Sequence, residues 1–491
     1  MSDKLSRRRF LRGVALLANE LLEASCQPKV VKETVIKEVE KVVKETVIVA
    51  GTPKVVEKVV KETVVVEVPA KPAPGERPQV TLRFWNWWAR DRVQLMNAII
   101  EDFQTEFPWI DVQNHLQTWD RRDEKVLTAI ASGDVPEVIM ATTVEVLRFA
   151  HEGRIIPIDP YIEKFDIDLD RFYAAQIAGC NSNVKQYTMP MPTGGGLTGY
   201  LLYNKDVFTQ AGLDPEKPPE TWQDMETAAR AITEFNDDGS IKVLGTDVGR
   251  SGGPFGAWLY CNAGEWINED RTKVTFNSEE GVDTLQWQVR FTDEINGGTE
   301  NVADFYQRAE ASAAGEPVYI GTQGWNYPNV SVFFHIQNLA PDLNWGLGLR
   351  PYNSANPKAE SHGVAGLSFG WGYVIPTGLD RDTEEAAALW VKRITYDEEA
   401  CWFMAQQSRP TPIKECNEVP EYYDMNPYWS TVLEGLDRDV VVPIVPVHTE
   451  MASFLNQAVE EAMFHVREPK EALDWAAEQA QEVLDDFWSE A

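Results

Sequence analysis

Three tryptophans within four residues, Trp85, Trp87 and Trp88, stand where an alternating apolar run ends. Flat indole faces suit one chemistry above others: noncovalent capture of a solute that has apolar C–H faces and hydroxyl edges, as sugars do. Such a site also needs planar polar groups that hydrogen-bond in pairs. Asp120 can accept from hydroxyls, and the Arg409 guanidinium can fork onto a carboxylate or a hydroxyl pair. Thr143 stands at the end of another strand. Trp258, Trp325 and Trp371 fall in further segments expected to face a cleft. Each of these has a plainer alternative. Indoles pack cores, and this chain has 17 of them; Asp120 also reads as an ordinary surface carboxylate. Neighbours on a strand point to opposite sides, so the indoles at 85–88 are not all expected in one core. The expected ligand contacts are therefore Trp85, Trp87, Trp88, Asp120, Thr143, Trp258, Trp325, Trp371 and Arg409.

No pattern singles out a bond-making centre. Gly366-Leu367-Ser368-Phe369-Gly370 matches a nucleophile elbow as a string. An elbow must lead into a helix, and Gly372 to Pro376 reads as a strand. Gly194, Gly195 and Gly196 are not followed by the Gly-Lys-Ser/Thr of a phosphate loop. The six histidines show no ligand spacing. Paired carboxylates for glycoside hydrolysis are not distinguished among 77 acidic residues, so a secreted glycoside-active enzyme is the alternative reading. No catalytic residue, cofactor or metal is expected.

These side chains need a large scaffold, and 491 residues is too long for one ordinary core, so two or more lobes are expected. A net charge of -32 argues against nucleic acid and anionic membrane surfaces as partners. None of the five cysteines (Cys26, Cys180, Cys261, Cys401, Cys416) forms a Cys-x-x-Cys pair. If Cys26 is modified, four remain, for one or two disulfides or for buried thiols. Cys401 and Cys416 are the nearest pair in sequence.

Ser6 to Arg12, with paired arginines before Phe10-Leu11, has the pattern of a twin-arginine export signal. The weakly apolar run after it is too short and polar to span a membrane. Leu22-Glu23-Ala24-Ser25-Cys26 resembles a degraded lipobox, which makes Cys26 a candidate for lipidation. Residues 29–78 are low in complexity, with VVKET at Val30, Val42 and Val59 and no aromatic residue. Such a piece cannot build its own core and reads as a solvated stalk or a weak oligomerising helix. Pro69, Pro72, Pro74 and Pro78 mark its end as a linker.

From Val80 onward the pattern is strand (VTLRF), helix (about 92–107, closed by Pro108), strand (110–116), helix (about 123–131), strand (138–140). That order makes a parallel sheet with right-handed crossovers. Ligands bind beyond the carboxyl ends of such strands, which places Trp85–Trp88, residues 117–120 and Thr142-Thr143 at the mouth. Residues 187–213, YTMPMPTGGGLTGYLLYNKDVFTQAGL, hold two extended pieces around three glycines and suit a crossing between two lobes.

This segment resembles one in the extracellular solute-binding proteins of ABC importers, family 1, which includes the maltose-binding proteins. There a Tyr-Asn-Lys (Tyr203, Asn204, Lys205) follows the crossing and a Thr-Trp (Thr221, Trp222) opens a later helix. Gly315 to Ile320 with Gly324-Trp325 is similar to the second crossing. Ser408-Arg409-Pro410-Thr411-Pro412 stands where the family has a Gly-x-x-Pro turn. The resemblance covers roughly residues 80–488. One departure matters: residues 453–457 lack the stacking Trp and Tyr of maltose-binding protein, so maltodextrin is not implied.

The resemblance implies an α/β, two-lobed periplasmic binding protein type II fold, each lobe a mostly parallel sheet flanked by helices, hinged by chain crossings. The expected division is 1–26 signal, 27–78 stalk, 79–192 with 325–378 as lobe 1, and 193–324 with 379–491 as lobe 2. The implied function is the substrate-binding component of an ABC importer, closing on a small-molecule carbohydrate and delivering it to the permease subunits in the membrane. The expected form is an exported monomer at the outer face of the cytoplasmic membrane or in the periplasm, lipid-anchored if Cys26 is modified.

Overall fold

The computed structural model describes residues 32–49, 52–69, 77–90, 92–118, 122–178, 180–182, 185–191, 199–249, 252–312, 315–365 and 371–490. Asp120, Cys26, the twin arginines, the three glycines 194–196 and the Gly366–Gly370 string lie outside them. Strands β1 (Lys32–Val49) and β2 (Thr52–Pro69) form a two-stranded antiparallel sheet of their own. The segment read as a stalk or a helix is thus paired strand. Its β-branched residues favour an extended backbone.

The first lobe is built on β3 (Val80–Asn86), α1 (Arg92–Glu106), β4 (Ile110–Leu116), α2 (Arg122–Ser132), β5 (Val138–Thr142) and α3 (Thr143–His151). On β3, Leu82 and Phe84 are buried while Thr81 is exposed, as the alternating sequence requires. On α1, Met96, Ile99, Ile100 and Phe103 form the inner face. β4 and β5 flank β3, both parallel to it.

The second sheet begins with β6 (Tyr200–Asn204), which carries the Tyr-Asn of the crossing motif. Asn204 accepts from the Asp206 and Val207 N–H groups and caps the next helix. Helices α4 (Trp222–Ile232), α5 (Gly252–Tyr260) and α6 (Glu279–Asn296) follow. Then β7 (Trp325–Asn326), α7 (Val332–Leu339) and β8 (Trp345–Leu349) bring the chain back. β7 and β8 both pair antiparallel with β6. The expectation of a mostly parallel second sheet fails among the described strands, because β6 runs away from the crossing while β7 and β8 run back towards it.

β9 (Trp371–Val374) completes the first sheet, antiparallel to β5, and α8 (Arg381–Thr395) packs Trp390 against Phe84 at 5.4 Å and Phe103 at 5.1 Å. α9 (Glu398–Ala405) also lies in this core. Trp325–Asn326 and Trp345–Leu349 thus lie in the sheet of β6, and α8 packs against β3 and α1 of the first sheet. Strand pairing and packing decide this, and neither is local in sequence. After α10 (Pro420–Met425) and α11 (Trp429–Asp437), α12 (His448–Met463) and α13 (Pro469–Glu490) pack with α5 and α6. Cys401 and Cys416 form a disulfide on either side of the Ser408-Arg409-Pro410-Thr411-Pro412 segment, and Cys180 and Cys261 are buried thiols.

His448, the first residue of α12, is 3% exposed with its ring 4.5 Å from that of Trp266. Burial pushes its imidazole down to about 4 from the ordinary 6.5. The unfolded chain thus takes up this proton at a higher pH than the folded one. The stability gained by keeping the ring neutral is complete above pH 6.5 and is lost as pH falls towards about 4. The loss is up to about 1.4 kcal/mol per pH unit in that window. His448→Phe should therefore melt with a shallower pH dependence than wild type in that window. Identical slopes would refute this account of the burial.

Candidate functional site

The site forms at the mouth of the first sheet, where β3 stops at Asn86. The buried Asn86 side chain donates to Asn114 on β4 and accepts from the Trp88 N–H at 3.0 Å. Its carbonyl accepts from the Gln117 N–H at 2.8 Å. These bonds turn the chain inward, so that Trp88 is only 4% exposed. Arg90 then takes the left-handed conformation, φ 59°, before α1 begins at Arg92.

Trp88 is held from several sides. Its indole N–H donates to the Tyr373 hydroxyl at 2.8 Å, and its ring meets Phe403 edge-on at 5.1 Å. Tyr373 is itself fixed by Thr188: the Tyr373 N–H donates to Thr188 Oγ1 at 2.9 Å, and the Thr188 hydroxyl donates back to the Tyr373 carbonyl at 2.8 Å. The guanidiniums of Arg92 and Arg409 lie 5.6 and 5.3 Å from the centre of the Trp88 ring. Arg92 also lies 5.0 Å from the ring of Phe334 on α7. Burial pushes Arg409 down to about 9, with the nearby Arg92 charge adding to the effect. Burial, then the charge of Arg90, lowers Arg92. His335 is lowered by burial, then by Arg92, Arg409 and Arg90.

Beside this cluster, a cavity of about 590 Å³ lies between α7, the end of α9, and α10. Phe333, Phe334, Gln337, Trp345, Gln406 and Asp424 are among its lining residues. It falls within the ~300–1,000 Å³ typical of small-molecule sites. Gln337 donates from its side chain to Ser408, the neighbour of Arg409, and so ties α7 to the segment that follows α9.

The nine residues expected from sequence separate into groups. Trp88 and Arg409 come together. Trp371, half-buried at the start of β9, pairs opposite Thr142, and its carbonyl accepts from the Met191 N–H at 2.8 Å. Thr143 is buried at the first turn of α3, behind a cap made by Thr142 and Glu145. Trp87 is buried and donates to the Thr118 carbonyl at 3.2 Å. Trp85 is half-buried within β3, on the sheet face that carries Thr81 and Arg83. Trp258 and Trp325 are inside the second lobe, 1% and 0% exposed. The Trp258 N–H donates to the Val248 carbonyl at 2.8 Å, and Trp325 donates to Tyr327 at 2.9 Å. Trp258 packs against Trp287 and Tyr327, and the Arg350 guanidinium lies 4.4 Å from its ring.

Sequence reading missed Arg92, Tyr373, Thr188, Phe334 and His335. For Arg92 a signal existed in its place four residues after the last of the clustered tryptophans; the others are remote in sequence. Among the described residues no group of histidine, cysteine and acidic side chains could hold a metal ion. What the arrangement offers is an aromatic floor, one buried and one half-buried guanidinium, and a cavity between α7, the end of α9, and α10.

The sequence pattern of the family described as "bacterial extracellular solute-binding protein" matches residues 98–428. The sn-glycerol-3-phosphate-binding periplasmic protein UgpB of Escherichia coli K12 is 21% identical over 430 residues, covering 83% of this chain and 93% of UgpB. Among solved structures, the ABC substrate-binding protein Lmo0181 of Listeria monocytogenes, in complex with cycloalternan, superposes with TM-score 0.69 at 22% identity, covering 83% of this chain and 99% of that one. The solute-binding protein of Thermotoga lettingae bound to α-D-tagatose gives 0.67 at 21%, covering 83% and 100%. The shared architecture is the α/β two-lobed binding-protein fold.

Proposed function

The chain belongs to the bacterial extracellular solute-binding proteins, and from that premise we propose that it is the substrate-binding component of an ABC importer that takes a carbohydrate between its lobes and delivers it to membrane permease subunits. Its family is one of binders, so it is read as a binding protein and not as a glycoside-active enzyme. One observation carries the reading: the buried Trp88 indole at the strand mouth holds the guanidiniums of Arg92 and Arg409 against it, and Arg92 also lies against Phe334 of α7. The sugars bound by the Listeria and Thermotoga proteins support the class of solute. Trp88, Trp87, Trp371, Thr143 and Arg409 are the proposed first-lobe side of the site, with Asp120 a further acceptor. Trp85 is a peripheral wall. Trp258 and Trp325 support it from the second-lobe core.

A solute that touches both lobes favours the closed form by its extra affinity for that form. Export through the twin-arginine pattern, lipidation of Cys26 and a monomeric state are parts of the same reading. Among the described residues no helix is long and apolar enough to cross a membrane. A thermal-shift screen of the purified chain against mono- and oligosaccharides tests the proposal, because binding to the folded state alone raises the melting temperature. A rise with one sugar, at unchanged sugar composition after incubation, is the expected result. Release of reducing ends, or no response across the panel, would overturn it.

A further inference from the structure

The segment that supplies Arg409 is closed by a covalent bond. Cys401, inside α9, is joined to Cys416 in the short helical turn Lys414–Glu418, 15 residues on. Both cysteines are buried, and among the described residues this is the one disulfide. The loop it closes holds Phe403, edge-on to Trp88 at 5.1 Å, and Arg409, 5.3 Å from the centre of the same ring. It also holds Ala405 and Gln406, which line the cavity, and Ser408, which accepts from Gln337 of α7. Cys416 stands just before α10, whose Glu421, Asp424 and Met425 line another side of that cavity. The bond thus ties together two of the three elements around the cavity, α9 and the approach to α10.

This loop is held in a conformation that it does not favour unaided. Ser408 is left-handed, φ 51°, a backbone that costs a residue with a side chain energy and persists only where the surroundings over-determine it. At this turn the Ser408 N–H donates to the Ala405 carbonyl at 3.0 Å and the Arg409 N–H to the Met404 carbonyl at 3.1 Å. The turn ends α9 and sends Arg409 back towards Trp88. Other ties are hydrogen bonds: Asn417 exchanges two with the Thr411 backbone, at 2.8 and 2.7 Å, and the Tyr422 hydroxyl donates to the Arg409 carbonyl at 2.9 Å. A cross-link removes alternative conformations of the loop it closes, so order that binding would otherwise have to impose is already in place.

Resting on the reading that the solute sits at Trp88, we propose that the Cys401–Cys416 disulfide is a positioning device for the solute site, and that full affinity is reached only once the bond has formed. Formation is thiol–disulfide exchange: the two thiols give up two protons and two electrons to an incoming disulfide, which leaves as two thiols. The chain therefore binds weakly while reduced and tightly after it reaches an oxidising compartment.

The test is calorimetry on the full chain, purified under reduction, against glucose, sucrose, mannobiose and maltotriose, before and after treatment with glutathione disulfide and well below the melting transition. Oxidation should tighten the binding of the sugar that responds about tenfold. Cys401→Ala combined with Cys416→Ala should bind like the reduced chain and ignore glutathione disulfide, which assigns the effect to this pair and not to Cys180 or Cys261. In Arg409→Gln the gap between reduced and oxidised affinities should fall below about threefold, because the clamp acts by placing that side chain. Val302→Ala, buried on the remote helix Thr299–Ser312, lowers stability without touching the loop and should leave the affinity of the oxidised chain unchanged. Four results overturn the proposal and leave the carbohydrate reading standing: equal affinities before and after oxidation, a gap that persists in Arg409→Gln, an equal loss of affinity in Val302→Ala, or a reduced chain that circular dichroism shows unfolded. Silence from all four sugars in both states overturns both.

Discussion

Trp88→Ala should bind its solute at least ~30-fold more weakly than wild type, and the rise in melting temperature on adding solute should vanish. The ring is the surface on which Arg92 and Arg409 are both held, so its loss removes the aromatic floor and releases two planar donors together. It also leaves the Tyr373 hydroxyl without the indole donor that meets it at 2.8 Å. Because the side chain is buried, the same change lowers stability by about 3 kcal/mol or more. Affinity is therefore to be measured by calorimetry well below the melting transition, with circular dichroism confirming the folded state. Trp88→Phe separates the two effects: it keeps a ring against Phe403 and loses the donor. Wild-type affinity in a folded Trp88→Ala protein would remove this indole from the site.

Trp258→Ala should act almost wholly on stability, costing about 3–5 kcal/mol. Trp258 is 1% exposed at the centre of an indole cluster in which Trp222 and Trp287 stack at 3.9 Å. Deleting it opens a cavity that rigid neighbours cannot fill, and strands the Arg350 guanidinium that lies over its face. A denaturant titration should show the midpoint falling with the slope preserved. An unshifted midpoint together with lost solute affinity would reverse the assignment and place this indole in the cleft.

The contrast between these two tryptophans shows where sequence reading stops. Both follow glycine- or strand-rich segments, and nothing in their neighbours tells a floor from a core. The difference lies in what arrives from elsewhere in the chain. Trp88 receives Arg409 from the segment that follows α9 and Phe403 from α9 itself, whereas Trp258 receives Trp222 from α4 and Trp287 from α6. Arg92 was visible as a charged helix start; its role depends on Phe334, which lies 242 residues away and packs on it only in the folded chain.

By itself the sequence determined the class of this protein: the alternating strand ending in tryptophans, the helix–strand order of the first lobe, the Tyr-Asn-Lys after a glycine-rich crossing, and the absence of any ordered catalytic pattern. These are local signals, carried by periodicity and by residues whose backbone preferences are strong. Tertiary structure alone decided which segments share a sheet, which strand α8 packs against, and which indoles meet cations. Those depend on pairings between distant segments, which are set by the burial of whole faces and not by the preferences of any one stretch.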